Sequence, residues 1–293
     1  MKFKRVIFCL LSLSVTLAYG SGFQSLQLGA DGRSSGMGMV STALDLQTGG
    51  YNNPATLAGG LSSHFQISTL QWIEDVQSHF VSFARCTPDQ GIGFHFLYTA
   101  VDNIEHRLVA SVEPIGTFSS HELVGGLSYG KKINPQFAIG GTVHALYEKL
   151  FVNEAWGVAI DLGMVWQRES DGLKVAASLN NLGKTGELES TSIPLPFTFK
   201  TGVARPFQVG GGQLLAAADL VAIRDDGLHT HWGLEYAWTH LLFVRGGYQT
   251  GYELRSFTGG LGIAWHAYRF DYSYLALGAD FNDSHRISFT VAL

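Results

Sequence analysis

The stretch "EAWGVAIDLGMVWQR" occupies residues 154–168. Taken in steps of two, it places Trp156, Val158, Ile160, Leu162, Met164 and Trp166 on one side. Gly157, Ala159, Asp161, Gly163, Val165 and Gln167 take the other. Side chains of a β-strand alternate between its faces, so the first set forms an unbroken apolar ribbon with a tryptophan at each end, roughly 30 Å apart at strand rise. A strand of a soluble sandwich also hides one face, but it is usually about half as long. The length and the two tryptophans match a lipid-facing band closed by aromatic girdles.

The same alternation returns further along. Trp232, Leu234, Tyr236 and Trp238 share a face, leaving His231 and Glu235 on the other. Phe257, Gly259, Leu261, Ile263 and Trp265 form another ribbon, as do Tyr268, Phe270, Tyr272 and Tyr274 over Arg269, Asp271 and Ser273. In "HRISFTVAL", Ile287, Phe289, Val291 and Leu293 oppose Arg286, Ser288 and Thr290. The second face is polar or tiny each time, the reverse of a soluble core. This inversion predicts a transmembrane antiparallel β-barrel, an all-β fold, and the segments number about fourteen. They centre near residues 67, 80, 95, 127, 142, 161, 177, 201, 217, 233, 245, 260, 271 and 289, with poor alternation in the first two and the ninth.

Composition agrees. Glycine contributes 36 of 293 residues, aromatics 12% and charged residues only 15%, while no apolar run beyond the leader reaches the length a spanning helix needs. Residues 1–20 read as a cleaved signal peptide: Lys2, Lys4 and Arg5 precede the apolar "VIFCLLSLSVTLAYG", and Ala18 and Gly20 suit a cut before Ser21. Without those three cations the net charge moves from −5 to −8, which with no basic stripe argues against nucleic acid. Cys86 is then the one cysteine of the mature chain, so no internal disulfide forms.

Residues 21–61 differ from the rest and are read as a plug, with 62–293 as the barrel. In "YNNPATLAGG" (51–60), Asn53 is a good N-cap, Pro54 suits the first helical position, and Gly59 or Gly60 suits the stop. The spacing predicts one to two helical turns over Pro54 to Ala58. So short a helix needs a surface to dock on, and the lumen offers one, with Asn53, Pro54 and Ala55 as the anchoring motif.

"GMGM" (36–39), "YNNPATLAGG" and, in order, "AASLNNLGKTG" (176–186), "LPFTFKTGVA" (195–204), "FVRGGY" (243–248) and "FDYSYLALGAD" (270–280) resemble the PorV/PorQ family of FadL-like outer-membrane proteins. The resemblance covers nearly the whole mature chain. Met39 stands where that family has a glycine, and Leu293 ends a chain that such barrels commonly finish with an aromatic. It implies a 14-stranded barrel with its N-terminal segment in the lumen, set among outer-membrane lipid. It also implies a role in type IX protein secretion or surface attachment, docking cargo or secretion-system proteins without catalysis or cofactor. The two long connections, 101–120 and 183–196, are the expected docking loops. The alternative is FadL-like passive transport of hydrophobic small molecules. That requires a greasy lumenal pocket, a movable plug and a kinked strand, for which Gly125–Gly126, Gly140–Gly141, Gly246–Gly247 and Gly259–Gly260 are candidates.

Inward charges gather late in the chain. Glu235, Arg245, Arg269, Asp271 and Arg286 lie on consecutive strands about 4.8 Å apart, and are expected to pair across the wall and seat the plug. "GLSYG" (126–130) imitates a nucleophile elbow without the turn and helix that motif needs. "GKT" (183–185) lacks the earlier glycine of a phosphate loop. His229, His231 and Glu235 share a face, but no further spacing supports a metal.

Overall fold

The computed structural model describes residues 22–59, 62–107, 113–188, 191–192, 194–278 and 282–293. The leader, residues 1–20, and Gly60 lie outside them. Fourteen antiparallel strands close into one barrel. In chain order they are β1 (His64–Gln71), β2 (Gln77–Cys86), β3 (Gln90–His106), β4 (Gly116–Asn134), β5 (Phe137–Leu150), β6 (Asn153–Gln167) and β7 (Lys174–Thr185). After a two-stranded hairpin, β8 (Glu187–Leu188) and β9 (Thr191–Ser192), come β10 (Thr198–Val209), β11 (Gly212–Ile223) and β12 (Gly227–Trp238). β13 (Leu242–Thr250), β14 (Arg255–Trp265), β15 (Tyr268–Leu277) and β16 (Ser284–Ala292) complete the wall. Every strand centre expected from the alternation falls inside one of the fourteen. β16 returns to β1 in a ladder from His64↔Ala292 to Gln71↔His285, which removes both sheet edges.

β1 and β2 alternate without a fault in the structure, although their sequences blur it. The reason is Phe80, which points inward and is buried, while His79 faces outward. A lumen packed with protein accepts an apolar side chain, so polarity alone is an incomplete guide to facing.

The rims differ. At one, strands join through short turns such as 135–136, 266–267 and Gly210–Gly211, whose φ values of 57° and 83° suit a tight hairpin. At the other lie the connections 107–115 and 186–197. Around the outside runs an apolar belt in which Trp156, Trp238 and Trp265 are each more than 60% exposed. Surface of that kind is stable against hydrocarbon and costly against water. No helix among the described residues is long and apolar enough to cross a membrane; the strands supply the span.

The expected long connection 101–120 is largely a raised hairpin, because β3 and β4 continue past their neighbours to His106 and from Gly116. Residues 108–112 of it lie outside the described residues. The glycine pairs proposed as kinks keep regular register. The wall is irregular elsewhere, between β6 and β7.

Candidate functional site: the plugged lumen

Residues 22–59 run down the lumen. Gly22 donates its N–H to Pro194 O (3.1 Å) near the long-loop rim, and Asn53 reaches Met164 O (3.4 Å) near the other. Residues 54–58 form a 3-10 helix with Asn53 as its cap and Gly59 at its end. The Asn53 Oδ1 accepts the Ala55 N–H (3.1 Å) while its Nδ2 donates to Thr42 O (2.9 Å), tying the turn to the segment before it. Ala55 and Leu57 are fully buried. The wall beneath is made of glycine: Gly130, Gly140 and Gly163, on β4, β5 and β6, touch Asn53, Pro54 or Leu57. A Cβ on Gly140 would lie 2.5 Å from the Pro54 carbonyl carbon and 2.6 Å from the Ala55 nitrogen. Backbone therefore rests directly on backbone, a closeness that only glycine permits.

A second seat is ionic. Arg33, in α1 (Gly32–Gly36), gives Glu235 a two-pronged ion pair, Nε to Oε2 at 2.9 Å and Nη2 to Oε1 at 2.7 Å. Glu235 also holds Arg245 (2.7 Å) and Arg269 (3.4 Å), and both arginines bind Asp271 (2.7 and 2.9 Å). Four of the five inward charges named from sequence thus form one cluster across β12 to β15, joined to the plug through Arg33. Arg286 stands apart. Its guanidinium donates to the carbonyls of Leu28 (2.8 Å) and Gly29 (3.2 Å), holding plug backbone rather than a carboxylate. The separation is lateral: one ladder row runs Arg245↔Gly260↔Ser273↔Arg286, which sets Arg286 three strands from Arg245, a neighbourhood that alternation does not encode.

Further contacts escaped the sequence reading. Asp219 on β11 accepts from Ser41 N (2.8 Å), Thr42 N (3.0 Å) and Thr42 Oγ1 (2.8 Å). Lys174 pairs with Asp45 of the plug. His229 and His231 flank Tyr252, and Glu235 is taken by arginines, so this trio converges on no common point. Ser128 lies mid-strand, bonded to Thr142 (2.8 Å).

Toward the long-loop rim the lumen is greasy on one side. Phe80, Leu97, Val124, Leu146 and Ala159, contributed by five neighbouring strands, are all buried in one cluster. The chain itself fills the space between them with Phe23 and Leu26 of the plug and Leu195 of the 186–197 connection. That connection was expected outside as a docking loop; residues 194–197 instead turn inward. Phe23 holds a left-handed backbone, φ 53°, which is costly for an aromatic residue and marks a constrained position. Tyr51 packs edge-on against Phe80 and His95. Burial pushes its phenol well above the usual range, so it stays a neutral donor, here to Leu26 O (3.3 Å).

The bend lies between β6 and β7. Register slips between Ile160 and Leu162, so that Asp161 faces both Asn180 and Asn181 in a β-bulge, with Asn181 at φ 63°. Asp161 accepts from Asn181 N (2.7 Å) and Asn180 Nδ2 (3.0 Å) and meets His144 Nε2 at 2.9 Å. His144 in turn lies 3.4 Å from His95, which rests on Tyr51. Above the bulge β7 has no barrel partner on its far side among the described residues, since β7 and β10 pair from Lys174↔Ala204 to Asn180↔Thr198. A cavity of about 50 Å³ adjoins the bulge, lined by Tyr51, Asn52, Asp161, Asn181, Lys200 and His231 among others.

The sequence matches no protein-family model and no curated protein. Solved structures do match. The toluene transporter TbuX of Ralstonia pickettii superposes with a TM-score of 0.68 at 15% identity, covering 90% of this chain and 98% of its own. The monoaromatic hydrocarbon channel CymD gives 0.67 at 14%, covering 91% and 98%. A FadL homologue of Pseudomonas aeruginosa gives 0.61 at 9%, covering 90% and 98%. The chain has the fold of the FadL-like barrels.

Proposed function

We propose that this protein is an outer-membrane conduit for passive uptake of hydrophobic small molecules, held here in its closed state. It binds and releases its cargo without catalysis. The observation that carries this reading is the apolar chamber of Phe80, Leu97, Val124, Leu146 and Ala159, occupied by the chain's own Phe23, Leu26 and Leu195. Side chains that fill a greasy site from two segments outside the barrel wall hold the place a hydrophobic ligand takes. The shortened β7–β10 ladder above the Asp161 bulge supplies a sideways path to the membrane, and the likeness to hydrocarbon channels supports the same direction. A docking role in type IX secretion, of the PorV or PorQ kind, rests on sequence resemblance alone.

The test is initial uptake of radiolabelled toluene by a Gram-negative host lacking its own hydrocarbon channel. Expression of the wild-type chain should raise uptake, and Phe23→Ala should change its rate. Uptake at the level of the empty host, together with co-purifying secretion components, would sink the conduit reading and favour docking.

A further inference from the structure

The polar cavity beside the Asp161 bulge and the apolar chamber meet at the plug. Leu26 and Tyr51 belong to both: they pack in the cluster of Phe80 and Leu97, and they line the cavity of about 50 Å³. With the Leu26 side chain withdrawn, the two adjoin as one space, greasy at one end and polar at the other. The polar end has room for a hydroxyl but not for a benzene ring, which takes about 150 Å³.

Two groups at that end hold hydrogen-bonding capacity that the protein does not use. Lys200 of β10 lines the cavity and has no hydrogen bond or ion pair among the described residues; Asp219 and Asp161 attract it from beyond ion-pair distance. Asn181 of β7, the strand beside β10, commits its amide nitrogen to Pro196 O (3.0 Å). A carbonyl only accepts, so this contact fixes the amide's orientation and leaves Oδ1 to accept. The cavity thus offers one spare donor and one spare acceptor. Asp219 also keeps one oxygen, Oδ1, without a partner over Gly202, the next inward residue of β10 after Lys200. Two carboxylates around a single ammonium disfavour an anionic guest. A neutral hydroxyl, accepting from Lys200 and donating to Asn181, meets both needs.

We infer that this cavity is the hydroxyl subsite for a phenol whose ring takes the place of Leu26 in the chamber. The surroundings suit an aromatic body: Tyr51 meets Phe80 edge-on with ring centroids 5.4 Å apart, and the chain's own Phe23 ring fills the same cluster. The subsite rests on the conduit reading above and narrows it from hydrophobic molecules at large to hydroxylated aromatics.

Equilibrium dialysis of the full-length barrel in detergent micelles, with empty micelles subtracted, tests it. The probes share one ring: toluene, p-cresol, which adds a hydroxyl, and p-toluate, which adds a carboxylate. The wild-type chain should bind p-cresol about tenfold more tightly than toluene, the worth of one hydrogen bond from a charged donor. Lys200→Met and Asn181→Gly should each reduce that preference at least about threefold. Equal binding of toluene and p-cresol, tighter binding of p-toluate, or a preference unmoved in both variants overturns the subsite and leaves the conduit standing. Binding of none of the three overturns the chamber as a ligand site as well. Heat-modifiable migration on gels shows whether each variant has folded, and the second variant keeps the test decisive if the first has not.

Discussion

Arg33 of the plug and Glu235 of β12 face each other as a planar fork on a carboxylate, both bonds under 3 Å. Arg33→Gln removes the charge that joins the plug to the wall cluster. Glu235 keeps Arg245 and Arg269, so the loss should be about 2–3 kcal/mol rather than that of a stranded buried charge. Planar-bilayer recordings should show larger or more frequent openings than the wild type. An unchanged current would mean that the ion pair does not restrain the plug.

Gly140→Ala should displace the Asn53–Ala55 turn, because the new methyl would meet the Pro54 carbonyl carbon and the Ala55 nitrogen. Gly246→Ala is the matched control, since a Cβ there meets nothing within 4 Å. Differential protease sensitivity of residues 22–59 separates them: cleavage should rise in the first variant and not in the second. Overpacking of this kind costs roughly 1–3 kcal/mol.

Asp161→Ala leaves the Asn181 N–H and the Asn180 amide without their shared acceptor. The bulge should relax, lowering the thermal midpoint through a loss of about 2–4 kcal/mol for two buried hydrogen bonds and a histidine contact. If the bend shapes a sideways path, toluene uptake should fall in Asp161→Ala while Asn181→Gly, which tolerates positive φ, retains it.

At the short-turn rim the Arg168 guanidinium, bonded to Asp171 at 2.7 Å with Arg205 at 3.2 Å, holds the Asp171 carboxyl down to about 2. A depressed carboxyl pKa stabilises the folded hairpin above the ordinary aspartate range, and that contribution disappears as pH falls through about 2. Carbon NMR of the carboxyl should give a midpoint near that value, moving upward in Arg168→Ala.

The barrel was legible because lipid and lumen impose opposite demands on successive residues. Trp156 to Trp166 state the facing, length and girdle of one strand in eleven letters. The turn at Asn53 was legible too, since its cap, proline and stop are all local. What the sequence concealed is contact between segments far apart in the chain. Asp219 in "AAADLVA" and Asp161 in "VAIDLG" each look like one polar residue in an apolar run; their importance lies in backbone donors of Ser41, Thr42 and Asn181. Phe80 and Leu97 were hidden because apolar residues occupy both faces of β2 and β3. The inward course of residues 194–197 left one usable sign, Leu195 set between two prolines in a stretch expected to be wet.

The glycine seats carry an implication for the barrel as a pore. Gly130, Gly140 and Gly163, and likewise Gly233 and Gly247 against Met37 and Gly38, omit side chains where the plug presses. The wall is therefore a mould of the segment it encloses. Stripped of that segment, the lumen would be no smooth tube but a corrugated passage, widest where the missing side chains leave hollows. The paired charges of Glu235, Arg245, Arg269 and Asp271 would line that passage on one side, so ions crossing it would meet them.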